Sequence, residues 1–360
     1  MIRGSDAETV RGAIESGESL PGTFGFAGEV DGRLVRDVLG RVPLFVERDV
    51  TDPLDGEWAF SPADLEDPVR FPAGTVLEDG EYTNRWELPD PEPTHDHDHA
   101  IGRVDEAIGT ALEAVDSDLE VAVAFSGGVD SALVAELLDA PCYVVGFPGS
   151  NDIEAARSAA DAMGRDLEVV ELTHEDLERA IPPVAHAIGR TNAMDVGIAL
   201  SLFLVAEAVA ADGYDALAVG QGADELFGGY EKVVHLDHRV EAETTREAVR
   251  EQIHTLPEQL PRDVLALEAA GVEPVAPLLH DSVVDAALRL PPELLADEEI
   301  RKRALRQVAS EYLPVAVATR EKKAVQYGSL VARELDRLAR QSGYKRRIGD
   351  HVRKYVESLC

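Results

Sequence analysis

The sequence predicts an α/β protein: a parallel sheet with helices on both faces, a small β-rich region before it, and a mostly helical part after it. Three observations predict this. From residue 100, short apolar runs alternate with segments of helical length, a pattern that implies parallel strands and right-handed crossovers. Two glycine-rich segments, 126–131 and 220–230, each follow an apolar run, and such sheets bind ligands at the carboxyl ends of their strands. Before residue 89 the apolar runs are short and are cut by turn signals such as Asp31-Gly32 and Asp79-Gly80.

Residues 1–20 read as a short polar helix. Residues 21–86 read as strands, carried by Gly22-Thr-Phe-Gly-Phe-Ala27, Leu34-Val35, Val42-Pro-Leu-Phe-Val46, Trp58-Ala-Phe60 and Thr75-Val-Leu77. Pro89-Asp-Pro-Glu-Pro-Thr-His-Asp-His-Asp-His99 combines proline and charge without an apolar residue, the composition of a linker. His95, His97 and His99 alternate with acids there. A linker lacks the outer shell that orients metal ligands, so no metal site is expected at them. Next come helix 100–116, strand 120–125, helix 130–139, strand 143–146, helix 152–163 and strand 167–172. Helices 175–188 and 196–212 follow, then strand 216–219. Residues 236–340 read as mostly helical. The basic segment Tyr344–Tyr355 is expected to form an amphipathic helix packed on an acidic body. The expected division is therefore 1–88, a linker at 89–99, 100–342, and a tail at 343–360.

The chain has 360 residues, with 69 acids against 34 bases and a formal net charge of -35. Only six of the 34 bases are lysine, and the acids run along the whole length. Such a surface repels itself in dilute buffer and is screened within a few Å in concentrated salt, so adaptation to high salt is expected. The charge disfavours nucleic acid as a partner. Cys142 and Cys360 form neither a disulfide framework nor a CxxC site. No apolar run is expected to reach membrane-spanning length and no signal peptide is recognised, which points to a soluble, cytoplasmic protein.

The segment Ser126-Gly-Gly-Val-Asp-Ser131 joins an apolar strand to a helix. Its glycines let backbone approach a ligand closely. Ser126, Ser131 and the helix-start amides offer donors to an anion, and the helix dipole adds a favourable field. Asp130 would repel bare phosphate, which implies a metal ion between them. It is not a Walker loop, which needs GxxxxGK[ST]. It resembles the pyrophosphate loop, SGGxDS, of enzymes that split ATP between its α- and β-phosphates. Gly220-Gln-Gly-Ala-Asp-Glu-Leu-Phe-Gly-Gly-Tyr230 is the second constellation. Asp224 and Glu225 suit helix capping, and Asp224 suits a second metal ligand beside Asp130.

In order and spacing, SGGVDS (126–131), GFPGSNDIEAA (146–156), GQGADELFGGY (220–230), VAPLLHDSVVDAALRLPPEL (275–294), RKRALR (301–306) and REKKAVQYGS (320–329) resemble the synthetase domain of the asparagine synthetase B family. The resemblance covers about residues 100–330. It implies an adenine nucleotide α-hydrolase-like sheet, ATP as substrate and Mg²⁺. A carboxylate, aspartate in the family, is adenylated and ammonia then makes the amide. Phe125, Ser126, Gly127, Gly128, Val129, Asp130, Ser131, Val145, Val219 and Gly220 are implied to bind ATP and pyrophosphate. Asp130 and Asp224 are implied to hold the metal, and Lys322, Asp224 and Gln221 to act in catalysis. Gln221 departs from the family, which has glutamate there. β-Lactam synthetases also replace it, so another amide or lactam synthetase is the alternative, beside a non-catalytic nucleotide-binding relative.

Gly22-Thr-Phe-Gly-Phe-Ala27, Arg36-Asp-Val-Leu-Gly-Arg-Val-Pro-Leu-Phe45, Trp58-Ala-Phe-Ser61 and Phe71-Pro-Ala-Gly-Thr75 are similar to the second half of the family's glutaminase domain. Ile2 follows Met1 where the family exposes a cysteine nucleophile, and only Asp37 matches a glutamine-contact position. The expectation is a glutaminase remnant without activity, with ammonia free or supplied by a separate glutaminase.

Overall fold

The computed structural model describes residues 1–48, 57–230, 233, 244–297, 299–320, 329–346 and 350–360. In chain order the first elements are β1 (Ile2–Arg3), α1 (Ala7–Ser16), β2 (Ala27–Val30), β3 (Arg33–Arg36), β4 (Phe45–Glu47), β5 (Trp58–Ala59), β6 (Pro68–Arg70), β7 (Thr75–Glu78) and β8 (Glu81–Asn84). Then come α2 (His97–Glu113), β9 (Val121–Ala124), α3 (Val129–Leu138), β10 (Cys142–Gly146), α4 (Asn151–Met163), β11 (Leu167–Glu171), α5 (His174–Ile188), α6 (Ala193–Ala211), β12 (Ala216–Ala218) and α7 (Ala223–Phe227). The last are α8 (Thr245–Ile253), α9 (Leu256–Ala269), β13 (Glu273–Val275), α10 (Asp281–Leu288), α11 (Pro292–Leu295), α12 (Arg303–Tyr312), α13 (Val315–Ala318), α14 (Val331–Gln341) and α15 (His351–Leu359). Contacts divide the chain into two compact units. The first is Met1–Asp116, Gly220–Pro261 and Ala276–Glu311; the second is Ser117–Val219, Arg262–Val275 and Tyr312–Cys360.

In the first unit, β1-β2-β3-β7-β8 form an antiparallel sheet and β5-β4-β6 a smaller one. Strand alternation sorts the side chains. Val30, Val35 and Val76 face α1, packing with Val10, Ile14, Phe26 and Trp86. Their neighbours Leu34 and Leu77 face the other way, onto Leu44, Val46, Phe60 and Phe71. Asp6 caps α1 by accepting from the amides of Glu8 and Thr9, and Gly17 ends it at φ 77. The 89–99 segment is hydrogen-bonded along its length: Arg250 donates to the carbonyls of Leu88 and Pro89, and Arg246 to that of Pro91. Its last three residues already belong to α2, because Asp96 accepts from the His99 amide and caps that helix.

The same unit encloses a charge network. Arg41, 3% exposed, lies 2.9 Å from Asp37 and 2.7 Å from Asp281, which are 0% and 1% exposed. Asp281 also accepts from the amides of Gly22 and Thr23, and Arg41 donates to the carbonyl of Leu279. These bonds tie residues 22–41 to residues 279–281. A buried carboxylate is tolerated when it is paired and hydrogen-bonded.

The second unit carries a parallel sheet in the order β11-β10-β9-β12-β13, so the sheet is parallel as the alternating pattern predicts. The chain moves outward through β9, β10 and β11 and returns to the other side of β9 at β12. The order therefore reverses between β9 and β12, the position at which such sheets receive ligands. Strand β13 was not foreseen within the stretch expected to be helical. It is an edge strand whose Pro274 can face outward, where proline costs no ladder bond. Parts of that stretch, 236–243, 298 and 321–328, lie outside the described residues.

Helix α6 corrects another expectation. At 19 residues it is long and apolar enough to cross a membrane by composition, yet 61% of its apolar window is buried inside the protein. It is the core helix of its unit, packed on α5, α14 and β10, which is why it is apolar on every face. The basic tail forms α15, which buries Val352, Tyr355 and Val356 and sends the Tyr355 hydroxyl to Glu178. Arg346 and His351 hold Asp336 of α14.

Candidate active site

In the second unit, β9 runs into Phe125, whose amide extends the ladder to Tyr143 and whose ring is 1% exposed. The chain then turns through Gly127 at φ 70, a left-handed conformation. Glycine is required there twice over. An added Cβ would also stand 2.5 Å from the Ala155 carbonyl oxygen of α4. Gly128 is the N-cap of α3 and provides no side-chain acceptor to the first-turn amides. Val129 is buried at the helix start, and Asp130 stands in the first turn. The Ser126 amide donates to the Ser131 hydroxyl at 3.1 Å, and the two hydroxyls lie 3.1 Å apart. The result is a tight loop with backbone amides, two hydroxyls and a helix dipole at one point, the equipment of an anion site. Val145 of β10 and Val219, just beyond β12, are 9% and 3% exposed; the Val219 amide extends the ladder to Val275.

Gly220 and Gln221, both partly exposed, open the segment of the first unit that continues from Val219. Gly222, at φ 88, caps α7, and a Cβ there would stand 2.4 Å from Leu279. Asp224 and Glu225 occupy the first turn but neither caps it, as α7 has no side-chain cap bond. Asp224 instead pairs with Lys302, whose ammonium lies 2.6 Å from Oδ1. Lys302 is 6% exposed overall and sits at φ 56, a left-handed backbone that is strained for lysine. Gly229 lets the pair close up: a Cβ there would be 1.8 Å from Asp224 Oδ1 and 2.4 Å from Lys302 Cε. Glu225 is buried, accepts from the Tyr230 hydroxyl at 2.5 Å, and has its carboxyl pushed up by burial.

Lys322 and Lys323 lie outside the described residues. Lys302 lies in the RKRALR segment, to which the sequence assigns no role. The signal available for it was lysine scarcity, since it is one of only six. Arg320 opens the REKK segment and donates to Ala155 and Ser158 of α4. Asp37 spends both carboxylate oxygens locally, accepting from the amides of Leu39 and Arg41 and from the Arg41 side chain. Cys142 is buried, and burial pushes its thiol up to about 11, far from a reactive thiolate. Among the described residues, no three His, Cys, Asp or Glu side chains cluster as a metal cage. Asp130 and Asp224 each carry a carboxylate, the kind of oxygen donor that Mg²⁺ accepts.

The asparagine synthase family model matches residues 103–261 and 236–355. A Methanocaldococcus jannaschii protein described as a glutamine-hydrolysing asparagine synthetase is 31% identical over 271 residues, 65% of this chain and 50% of its own length. Asparagine synthetase B of Escherichia coli is 27% identical over 361 residues, 89% of this chain and 64% of its own length. The chain thus spans half of the first relative and under two thirds of the second. Among solved structures, an NAD⁺ synthetase from Burkholderia pseudomallei aligns over 71% of this chain and 93% of its own at 15% identity, with a TM-score of 0.25.

Proposed function

The chain belongs to the asparagine synthase family, and we propose that it is an ATP-dependent amide-forming ligase of the asparagine synthetase type. The observation that carries this reading is the 126–131 loop, with Gly127 pressed on α4 and the α3 amides uncapped by any side chain. In this reading a carboxylate, aspartate in the family, attacks the α-phosphorus of ATP. The bond to the bridging oxygen breaks, pyrophosphate leaves with the electron pair, and an acyl-adenylate remains. Ammonia adds to the acyl carbon, loses a proton, and AMP departs from the new amide.

The protein's part is positioning and charge stabilisation. Backbone from Ser126, Gly127, Gly128 and Val129, with the hydroxyls of Ser126 and Ser131, would hold the departing pyrophosphate. Phe125, Val145, Val219 and Gly220 would present backbone to the nucleotide. Asp130 and Asp224 would hold Mg²⁺, which when bound neutralises phosphate charge. Lys302 would keep the Asp224 carboxylate in one orientation. Lys322 would contact the reacting phosphates. Gln221 can orient ammonia but cannot take its proton, because an amide is not a base. Water or Glu225 would take it, and the raised carboxyl of Glu225 suits that task. The nitrogen source would be ammonia, free or delivered by a separate glutaminase; Asp37, the one matched glutamine-contact position, accepts from the amides of Leu39 and Arg41. Gln221 also favours a second reading, in which the same loop activates a different carboxylate for a different amine.

The test is product analysis with ATP, Mg²⁺, aspartate and ammonia at high salt. The expected products are AMP, pyrophosphate and asparagine in equal amounts. Stoichiometric ADP and phosphate would overturn adenylation. Pyrophosphate exchange with another carboxylate, and none with aspartate, would favour the second reading.

A further inference from the structure

We propose that Arg320 is a positioning residue for the phosphate loop, acting through α4; this rests on the ligase reading above. Gly127 meets α4 at one place, the Ala155 carbonyl and the Ala156 amide. The same Ala155 carbonyl accepts from Arg320 Nη1 at 2.7 Å. Arg320 Nη2 donates to the Ser158 hydroxyl at 2.6 Å. Ala155 and Ser158 are three residues apart on a helix and therefore share a face. Both ends of the guanidinium fork are thus used on one turn of α4, the turn that supports Gly127.

Arg320 is itself held. It follows the short helix α13, its amide donates to the Val317 carbonyl, and Val317 and Ala318 are buried. The α13 helix packs on both α3 and α4. The guanidinium therefore sets how far the Ala155 carbonyl stands from the loop. A phosphate-binding loop works by placing amides to within a fraction of an ångström, so its floor matters as much as its own residues. Lysine cannot replace this fork, because an ammonium is a single point charge on a flexible stem.

The experiment measures Mg·ATP affinity by titration calorimetry, the KM for ATP in pyrophosphate exchange, and the melting temperature. The variants are Arg320→Ala, Arg320→Lys and Ser158→Ala. Arg320→Ala is expected to weaken ATP binding and raise its KM by about tenfold, as a shift of a few tenths of an ångström in a preorganised site would do. The exchange rate at saturating ATP should fall much less, and Arg320→Lys should recover only part of the affinity. Ser158→Ala should show a smaller loss of the same kind. A merely structural arginine would lower the melting temperature without separating KM from kcat. Arg320→Ala with ATP affinity within about twofold of wild type would overturn the role of Arg320 alone. A wild-type chain that binds no Mg·ATP would overturn the ligase reading and this inference together.

Discussion

Gly127→Ala should slow pyrophosphate exchange on the order of a hundredfold in a protein that still folds. The new methyl carbon would stand 2.5 Å from the Ala155 oxygen, 2.6 Å from its carbonyl carbon and 2.8 Å from the Ala156 nitrogen, where ordinary contact begins at 3.4 Å. The shortfall, 3.4 less 2.5, is 0.9 Å. All three atoms are helix backbone and cannot rotate away, so the loop or α4 must retreat by nearly that distance. A displacement of about 1 Å in a preorganised site costs on the order of a hundredfold in rate. The left-handed backbone adds roughly 1–2 kcal/mol of strain for a residue with a Cβ. Gly164→Ala separates the two effects. Gly164 closes the same helix at φ 68, and a Cβ there meets nothing within 4 Å. It should lose about 1 kcal/mol of stability from strain and keep its exchange rate. Both variants are compared by thermal melting and by exchange of labelled pyrophosphate into ATP. If Gly127→Ala exchanges as fast as Gly164→Ala, the loop does not place phosphates.

Asp130→Asn and Asp224→Asn should each lower Mg²⁺-dependent exchange by at least about a hundredfold, and Asp224→Asn should also melt lower because it takes the carboxylate away from the buried Lys302 ammonium; near-normal rates would leave the carboxylates without a metal role. Gln221→Glu should leave exchange within a fewfold and raise ammonia-dependent amide formation by about tenfold, because only the second half-reaction needs a base; loss of both halves would indicate a carboxylate unlike aspartate. Arg41→Met strands Asp37 and Asp281 in the interior and should cost about 3–5 kcal/mol in denaturant unfolding. The exposed Arg48–Asp67 pair is the comparison, and equal effects from Arg41→Met and Arg48→Met would refute the network's weight. Asp336 titrates at about 2 in the folded chain, held down chiefly by Arg346 and also by His351 and Arg340. Its folded value lies below the ordinary 3.8, so its stabilisation is complete above that pH and drains away as pH falls toward 2. Asp336→Asn should flatten this acid limb in a melting series, and an unchanged limb would show that α15 does not depend on it.

Much of this was legible in the sequence. Strands β9 to β12 and helices α3 to α6 fall within a few residues of their expected bounds, because apolar periodicity and capping residues act over one or two turns of chain. That residue 127 must be glycine was legible as close approach to a ligand; that it also rests on α4 was not. The tertiary structure decided the rest. Asp224 read as a metal ligand or a cap, and its pairing with Lys302, which Gly229 permits by placing no Cβ between them, was not legible. Asp37 stood out only as a match to a glutamine-contact position, and it anchors Arg41, which reaches the Leu279 carbonyl 238 residues away. The edge strand β13 exists only because β12 offers a free side to pair with. Local pattern reports what a segment can become. Which charge meets which, and which backbone another segment rests on, is settled by packing between residues that no local window contains.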